Sequence, residues 1–196
     1  MKIIMATGNE NKVREVREML KGTDIEIVSL KEAGIHAQID ENGKTFEENA
    51  VIKAEAIRDI SKEMVFADDS GLEIDYLGKA PGVHSSRFMG ENTSYDIKNA
   101  EILRRLKGVP DEKRTARFVC VIAIASPGKE TKTFRGVFEG RIAHESAGDN
   151  GFGYDPIFYV PEKGCTSAQM SPEEKNSMSH RGKALKAAIE YIVKNA

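Results

Sequence analysis

The chain has 196 residues, 40% hydrophobic and 31% charged, so it can bury a real core in one domain, with or without two lobes, and global disorder is excluded. A formal net charge of −2 excludes a general nucleic-acid coat, which needs a dominant basic surface, but leaves room for a local basic pocket. The two cysteines, Cys120 within RFVCVIAIA and Cys165 after Gly164, match neither a disulfide framework nor a zinc-ligand spacing. No apolar stretch approaches the ~20 residues of a membrane span. The opening KIIMA lacks a signal-peptide pattern. A cytoplasmic protein without membrane or nucleic-acid partners is the expectation.

Residues 2–6 are predicted as a buried strand, and residues 10–21 as a helix with Val13, Val16, Met19 and Leu20 at helical spacing and Gly22 as its stop. Between them lies ATGNENK. Small and polar residues at a strand-to-helix turn (Thr7, Gly8, Asn9, Glu10, Asn11) leave backbone N–H groups at a helix N-terminus, which is a natural anion site. Thr7 and Asn9 can add side-chain hydrogen bonds, and Lys12 can meet a phosphate charge. The stretch is not a Walker loop, and an ordinary capped helix start has the same composition. Residues 25–28 form a second predicted strand.

Glu41 precedes Asn42-Gly43, a turn signal. The clearest helix is 45–62, with Thr45 and Glu48 as a capping box and Phe46, Ala50, Lys53, Ala54 and Ile57 on one stripe. Lys53 on that stripe is either a snorkelling lysine at its edge or a cation held on a fixed element beside an anionic ligand.

A strand over 64–68 is expected to end at Asp68-Asp69-Ser70-Gly71, with EIDYL following near 73–77. Adjacent aspartates are most often solvated turn residues. A tightly placed pair becomes favourable if a divalent cation sits there, since Mg²⁺ prefers hard oxygen ligands, and one carboxylate can then bind metal and polarise a water.

Residues 80–92 are loop-like. Thr93 and Asp96 suggest a capping box that opens a helix to about residue 107. A central strand over 116–125 and a second over 131–142 are predicted to form a hairpin through Pro127-Gly128. In the Gly-rich run GDNGFGYDP, residues 148–156, Phe152 and Tyr154 flank Gly153. They could form a stacking platform for a planar ring, with Asp155 sharing protons with ring edges, or be the core aromatics of a tight turn. A short strand at 157–160, a helical turn at 172–178 and a last helix at 181–194 complete the prediction. Lys175, His180 and Arg181 supply donors there, with Ser179 as a cap; a basic surface helix is the plain alternative. Early alternation of strands and helices followed by a hairpin indicates a mixed-sheet α/β or α+β fold. There is no internal repeat, linker or low-complexity tract.

No stretch decides alone, but together they supply the parts of a nucleotide polyphosphate site. The same blocks, in this order, resemble the inosine triphosphate pyrophosphatase family. They are Ala6-Thr7-Gly8-Asn9 with Lys12; Thr45-Phe46 and Glu48-Asn49-Ala50 with Lys53 and Ala54; Ala67-Asp68-Asp69-Ser70-Gly71-Leu72; Pro81-Gly82-Val83 with Ser86-Arg87; Gly151-Phe152-Gly153-Tyr154-Asp155-Pro156; and Lys175 with Ser179-His180-Arg181. The match runs from residue 3 to about 190. It implies an elongated two-lobed α/β fold around a long mixed sheet with flanking helices, the substrate in an inter-lobe cleft, a homodimer, and a need for Mg²⁺, one or more ions per subunit. It also implies hydrolysis of ITP, dITP and XTP between the α and β phosphates to monophosphate and pyrophosphate, which clears deaminated purines from the nucleotide pool.

Carried over residue by residue, the resemblance places Thr7 to Lys12 on the phosphates, with Lys53 and Lys175 neutralising further charge. Glu41 and Asp69 would hold Mg²⁺, with Asp68 as ligand or orienter, and Asp69 would be the general base. Ser70 would orient substrate, Phe152 would stack on the purine within the Gly153-Tyr154 loop, and Asp155, His180 and Arg181 would read the 6-oxo edge. Three rivals remain at this point. A nucleotide sensor without hydrolysis is disfavoured by the added carboxylates. A Maf-type pyrophosphatase is disfavoured by FGYDP and SHRGKA. A single-strand nucleic-acid binder is disfavoured by the net charge.

Overall fold

The computed structural model describes residues 1–195. In chain order the regular elements are β1 (Lys2–Met5), α1 (Glu10–Met19), β2 (Glu26–Ser29), α2 (Phe46–Ser61), β3 (Val65–Ile74), α3 (Tyr95–Arg105), β4 (Thr115–Ala125), β5 (Lys132–Ile142), β6 (Phe158–Val160), β7 (Cys165–Thr166), α4 (Pro172–Met178) and α5 (His180–Asn195). Among the described residues the strands form one seven-stranded sheet in the order β2-β1-β3-β4-β5-β6-β7. It is mixed, as expected. β1 runs parallel to β2 (Lys2 opposite Glu26) and to β3 (Ile4 opposite Val65), while β6 is antiparallel to β5 and β7. Parallel neighbours need a crossover of about a dozen residues, and α1 and α2 supply it; the short 126–131 connection from β4 to β5 cannot. No helix among the described residues is long and apolar enough to cross a membrane.

The chain divides into two compact units. Among the described residues the first comprises 1–69, 120–136 and 181–195, and the second 70–119 and 137–180. The first unit's core packs Ile3, Met5 and Ile27 with Val13, Val16 and Leu20, with Phe66, Cys120, Ile122 and Ile124, and with Ala184, Leu185, Ala188 and Ile192 of α5. The second unit's core joins Leu72, Ile74, Ile102, Leu106, Phe118, Phe138, Ile142, Tyr154 and Phe158. Burial on this scale is what offsets the conformational entropy of ordering each unit.

Three local expectations are corrected. The acidic pair does not end a strand: β3 continues through Asp68-Asp69-Ser70-Gly71 to Ile74, because hydrogen bonding in a strand flanked by β1 and β4 outweighs the turn preference of those residues. The cap of α3 is Ser94, whose hydroxyl accepts from the Ile97 N–H, while Thr93 donates to the Met89 carbonyl instead. The capping box of α2 is half formed: Thr45 accepts from the Glu48 N–H at 3.1 Å, but Glu48 reaches back to the Lys44 N–H at 2.5 Å rather than to that of Thr45. Strand β7 was not anticipated, and 172–178 is a full helix whose Ser171 cap accepts from the Glu174 N–H.

Arg114, just before β4, ties the C-terminal end of α3 to the end of β5. It is buried, and its guanidinium donates to the carbonyls of Leu106, Val109, Ile142 and Ala143. Arg114→Met leaves those acceptors unsatisfied, so the expected loss is about 3 kcal/mol of unfolding free energy, read from urea denaturation.

Candidate active site

The first unit carries an ionic cluster built on the middle of β3. Successive strand residues point to opposite faces of the sheet. Asp68 shares the parity of Phe66, which packs with α1 and α5, and its carboxylate meets Lys12 of α1 at 2.8 Å and Arg181 of α5 at 3.5 Å. Asp69 has the other parity and meets Lys53 of α2 at 3.5 Å; Lys53 also donates to Glu41 at 2.9 Å. The two like charges therefore do not face one another, and each has its own cation. Arg181 additionally pairs with Glu15 of α1.

Environment drives the two carboxylates in opposite directions. Asp68 is fully buried; burial pushes its pKa up, but Lys12, Arg181 and Lys53 outweigh burial and hold it below the ordinary carboxylate range. For Asp69, 7% exposed, burial dominates and raises the pKa, assisted by Glu41 and Asp68 and opposed by Lys53 and Lys12. Burial lowers Lys53, and Asp69, Asp68 and Glu41 together more than reverse that. One acid is thus locked as an anion, and its neighbour is the better proton acceptor.

Beside this pair is the turn between β1 and α1. Asn9 caps the helix, its Oδ1 accepting from the Asn11 N–H at 3.0 Å and the Lys12 N–H at 3.4 Å, and Thr7 accepts from the Asn9 N–H at 3.1 Å. Asn9 uses the amides of residues 11 and 12, as in the capped helix start that the composition also allows. The amides of Gly8 and Glu10 have no hydrogen-bond partner among the described residues, and a Cβ on Gly8 would meet nothing within 4 Å. The turn keeps room for an anion at Gly8.

Mg²⁺ takes one or two carboxylates plus waters and substrate phosphates rather than an all-protein cage. Among the described residues no three acidic, His or Cys side chains converge as such a cage. Asp69 Oδ2 is buried with no hydrogen-bond partner, and Asp69 and Glu41 are brought to the same ammonium. An open hard oxygen with a second carboxylate nearby fits a magnesium-type cation. Asp68 is already engaged by two side-chain cations.

The second unit carries an aromatic cluster. Asp155 is buried at its centre: Oδ2 accepts from the Phe152 N–H at 2.9 Å and from Lys175 Nζ at 2.7 Å, and Oδ1 accepts from the Ser167 hydroxyl at 2.7 Å. Lys175 Nζ lies 5.4 Å from the centroid of the half-buried Phe152 ring. Gly151 has φ +75°, and a Cβ there would sit 2.1 Å from Asp155 Oδ2, so only glycine permits the loop to close on that carboxylate. His180 is buried and stacks on Phe118, with centroids 4.9 Å apart.

Several sequence-derived assignments regroup. Lys175, expected on the phosphates, is bound to Asp155 beside Phe152. Arg181, grouped with His180 as an edge reader, has its guanidinium on Asp68 and Glu15 of the first unit. Tyr154, expected among the substrate contacts, places its side chain in the core, where its hydroxyl donates to the Ser85 carbonyl at 2.7 Å. Asp155 uses both oxygens to shape its own loop. Ser70 follows Asp69 on β3 and falls in the second unit. Glu15, Asn49, Ser167, Lys98 and Asn99 were given no role from the sequence. Glu15 is one of many charges on α1, and Ser167 carries no local signal. Lys98, in contrast, lies on the apolar stripe of α3 with Ile102 and Leu106, the same signal that singled out Lys53.

Comparison with known proteins is consistent with these blocks. The model of the Ham1 family matches residues 3–191. A dITP/XTP pyrophosphatase of Caldanaerobacter subterraneus subsp. tengcongensis is 50% identical over 195 residues, 99% of this chain and 97% of that protein. The Bacillus subtilis dITP/XTP pyrophosphatase is 50% identical over 189 residues, 96% of each chain. The solved structure of the Staphylococcus aureus Ham1 protein is 38% identical and superposes with a TM-score of 0.89 over all of both chains.

The opposite environments of the acidic pair have opposite consequences for stability. A depressed carboxylate stabilises the fold above its unfolded pKa and loses that contribution as pH falls through the folded one. Asp68→Asn leaves Lys12 and Arg181 facing a neutral partner, with an expected loss of about 3–5 kcal/mol at neutral pH. A raised carboxylate contributes in the other sense, its favourable contribution fading as pH rises through the folded pKa. Asp69→Asn should therefore unfold at the same or a higher denaturant concentration. Equilibrium unfolding of both variants at pH 7 checks the pair.

Proposed function

The chain belongs to the Ham1 family, and from that premise we propose that it is a nucleoside-triphosphate pyrophosphatase. Its substrates are the deaminated purine nucleotides dITP, XTP and ITP, hydrolysed at the α–β bond to the monophosphate and pyrophosphate. The relatives' names support the substrate class. The observation that carries the chemistry is the split of Asp68 from Asp69, which leaves one buried carboxylate with a raised pKa and an open oxygen next to a lysine.

The Gly8–Glu10 turn, Lys12 and Lys53 take the triphosphate, where fixed cations stabilise charge as it develops. Asp69 accepts the proton of the attacking water. As the new oxygen–phosphorus bond forms at the α-phosphorus, the bond to the bridging oxygen breaks and its electron pair leaves with pyrophosphate. Asp68, fixed by Lys12 and Arg181, keeps β3 in register and holds Lys12 in place. Glu41 and Asp69 would hold Mg²⁺, which when bound supplies charge neutralisation at the phosphates.

Phe152 receives the purine ring, while Lys175 and His180 supply donors toward a 6-oxo edge. Adenine presents an amino group there, leaving buried donors unpaired, and that mismatch discriminates strongly. Asp155 holds Lys175 and the loop in the geometry this requires.

Incubation with a panel of nucleoside triphosphates and Mg²⁺, with pyrophosphate and monophosphate measured separately, tests the proposal. ITP, dITP and XTP are expected to yield both products in equal amounts, and ATP little of either. Orthophosphate release instead of pyrophosphate would move the cleaved bond. Asp69→Asn should abolish turnover without loss of fold; near-normal pyrophosphate release from it removes the base assignment.

A further inference from the structure

Helix α3 contributes nothing to the chemistry described above, yet it holds the aromatic loop from behind. Asn99 Nδ2 donates to the Gly153 carbonyl at 3.1 Å, and Lys98 Nζ donates to the Ser86 carbonyl at 2.6 Å. Tyr95 of the same helix meets Tyr154 edge-on, with centroids 5.1 Å apart, and a Cβ on Gly153 would lie 3.5 Å from the Tyr95 ring. Tyr154 closes the circuit through the Ser85 carbonyl, and Ser85 in turn accepts the Leu72 N–H of β3 at 2.8 Å. Segments 82–86 and 152–154, remote in sequence, are thus fixed on one helix face.

These contacts are made by groups that are expensive to bury. Lys98 is 1% exposed, and among the described residues no carboxylate lies within ion-pair distance; its ammonium has one carbonyl and, 4.8 Å away, the face of Tyr95. Asn99 is 3% exposed, and its Oδ1 has no partner. Apolar residues would fill both positions at lower cost. What the polar groups add is direction: each seizes a single backbone carbonyl in a loop that glycines otherwise leave loose.

We propose that Lys98 and Asn99 are positioning residues that set the seat of the purine ring by fixing the Ser85-Ser86 turn and the Phe152-Gly153-Tyr154 loop, and thereby control KM. This rests on the reading that Phe152 receives the base. The test compares the full chain with Lys98→Met, Asn99→Asp and Phe152→Ala, measuring KM and kcat for ITP with Mg²⁺ and the thermal midpoint of each protein. Lys98→Met and Asn99→Asp should each raise KM roughly tenfold, about one hydrogen bond's worth, with kcat close to the parent's. Lys98→Met should melt no lower than the parent, since an apolar side chain replaces a buried charge. Asn99→Asp is isosteric and keeps the test decisive if Lys98→Met does not fold. An unchanged KM in the α3 variants, with or without a lower midpoint, makes the helix plain scaffold and overturns the proposal; so does a fall in kcat at constant KM. If Phe152→Ala raises KM and the α3 variants do not, only the bracing role fails. If Phe152→Ala leaves KM unchanged, the base sits elsewhere and the underlying reading fails with it.

Discussion

The buried pairing of Asp68 with Lys12 and Arg181 is the constraint around which the first unit is arranged. A carboxylate taken fully out of water would sooner take up a proton than remain charged. Two cations from helices at opposite ends of the chain prevent that, and in doing so they fix α1 and α5 against the same strand. The pairing need not add net stability over an apolar core. Its worth lies in geometry, because the charges are satisfied only when strand and helices are in register.

With Asp68 locked as an anion, the chain can carry a second acid at the next position. The pleat turns Asp69 to the other face, where Lys53 on α2 is its cation and Glu41 shares that lysine. Neither acid is unusual by composition. The pKa values diverge because one has two close cations in full burial and the other has a more distant cation and another carboxylate near it. The aromatic cluster of the second unit works differently. Its polar groups are spent on shaping a glycine loop around Asp155, so that a half-buried ring and a lysine are presented together. Ionic and planar chemistry are the two needs of a nucleotide, in keeping with the family to which the chain belongs.

Much of the fold was legible residue by residue. Helical spacing located α1, α2, α3 and α5, and apolar runs located β1, β4 and β5, because those signals come from local periodicity. Lys53 stood out as a cation on an apolar stripe, and it is indeed buried against acids. Lys98 on α3 carries the same signal and is likewise buried. Local chemistry misled at Asp68-Asp69-Ser70-Gly71, where turn-forming residues lie inside a strand hydrogen-bonded within the sheet. It misled again at Thr93, one residue from the true cap, because two neighbouring hydroxyls compete for the same helix start.

By itself the sequence determined the family and the mixed α/β class, and it singled out the residues from which the proposal above is built, because short-range spacing and residue type are properties of the chain. Which acid pairs with which base was decided only by the tertiary structure. Lys175 went to Asp155, Arg181 went to Asp68, and the adjacent aspartates parted to separate faces. Such choices depend on strand parity, on the burial each group meets and on cations from other segments of the chain, and Coulomb energy is set by distance in space rather than by position along the chain.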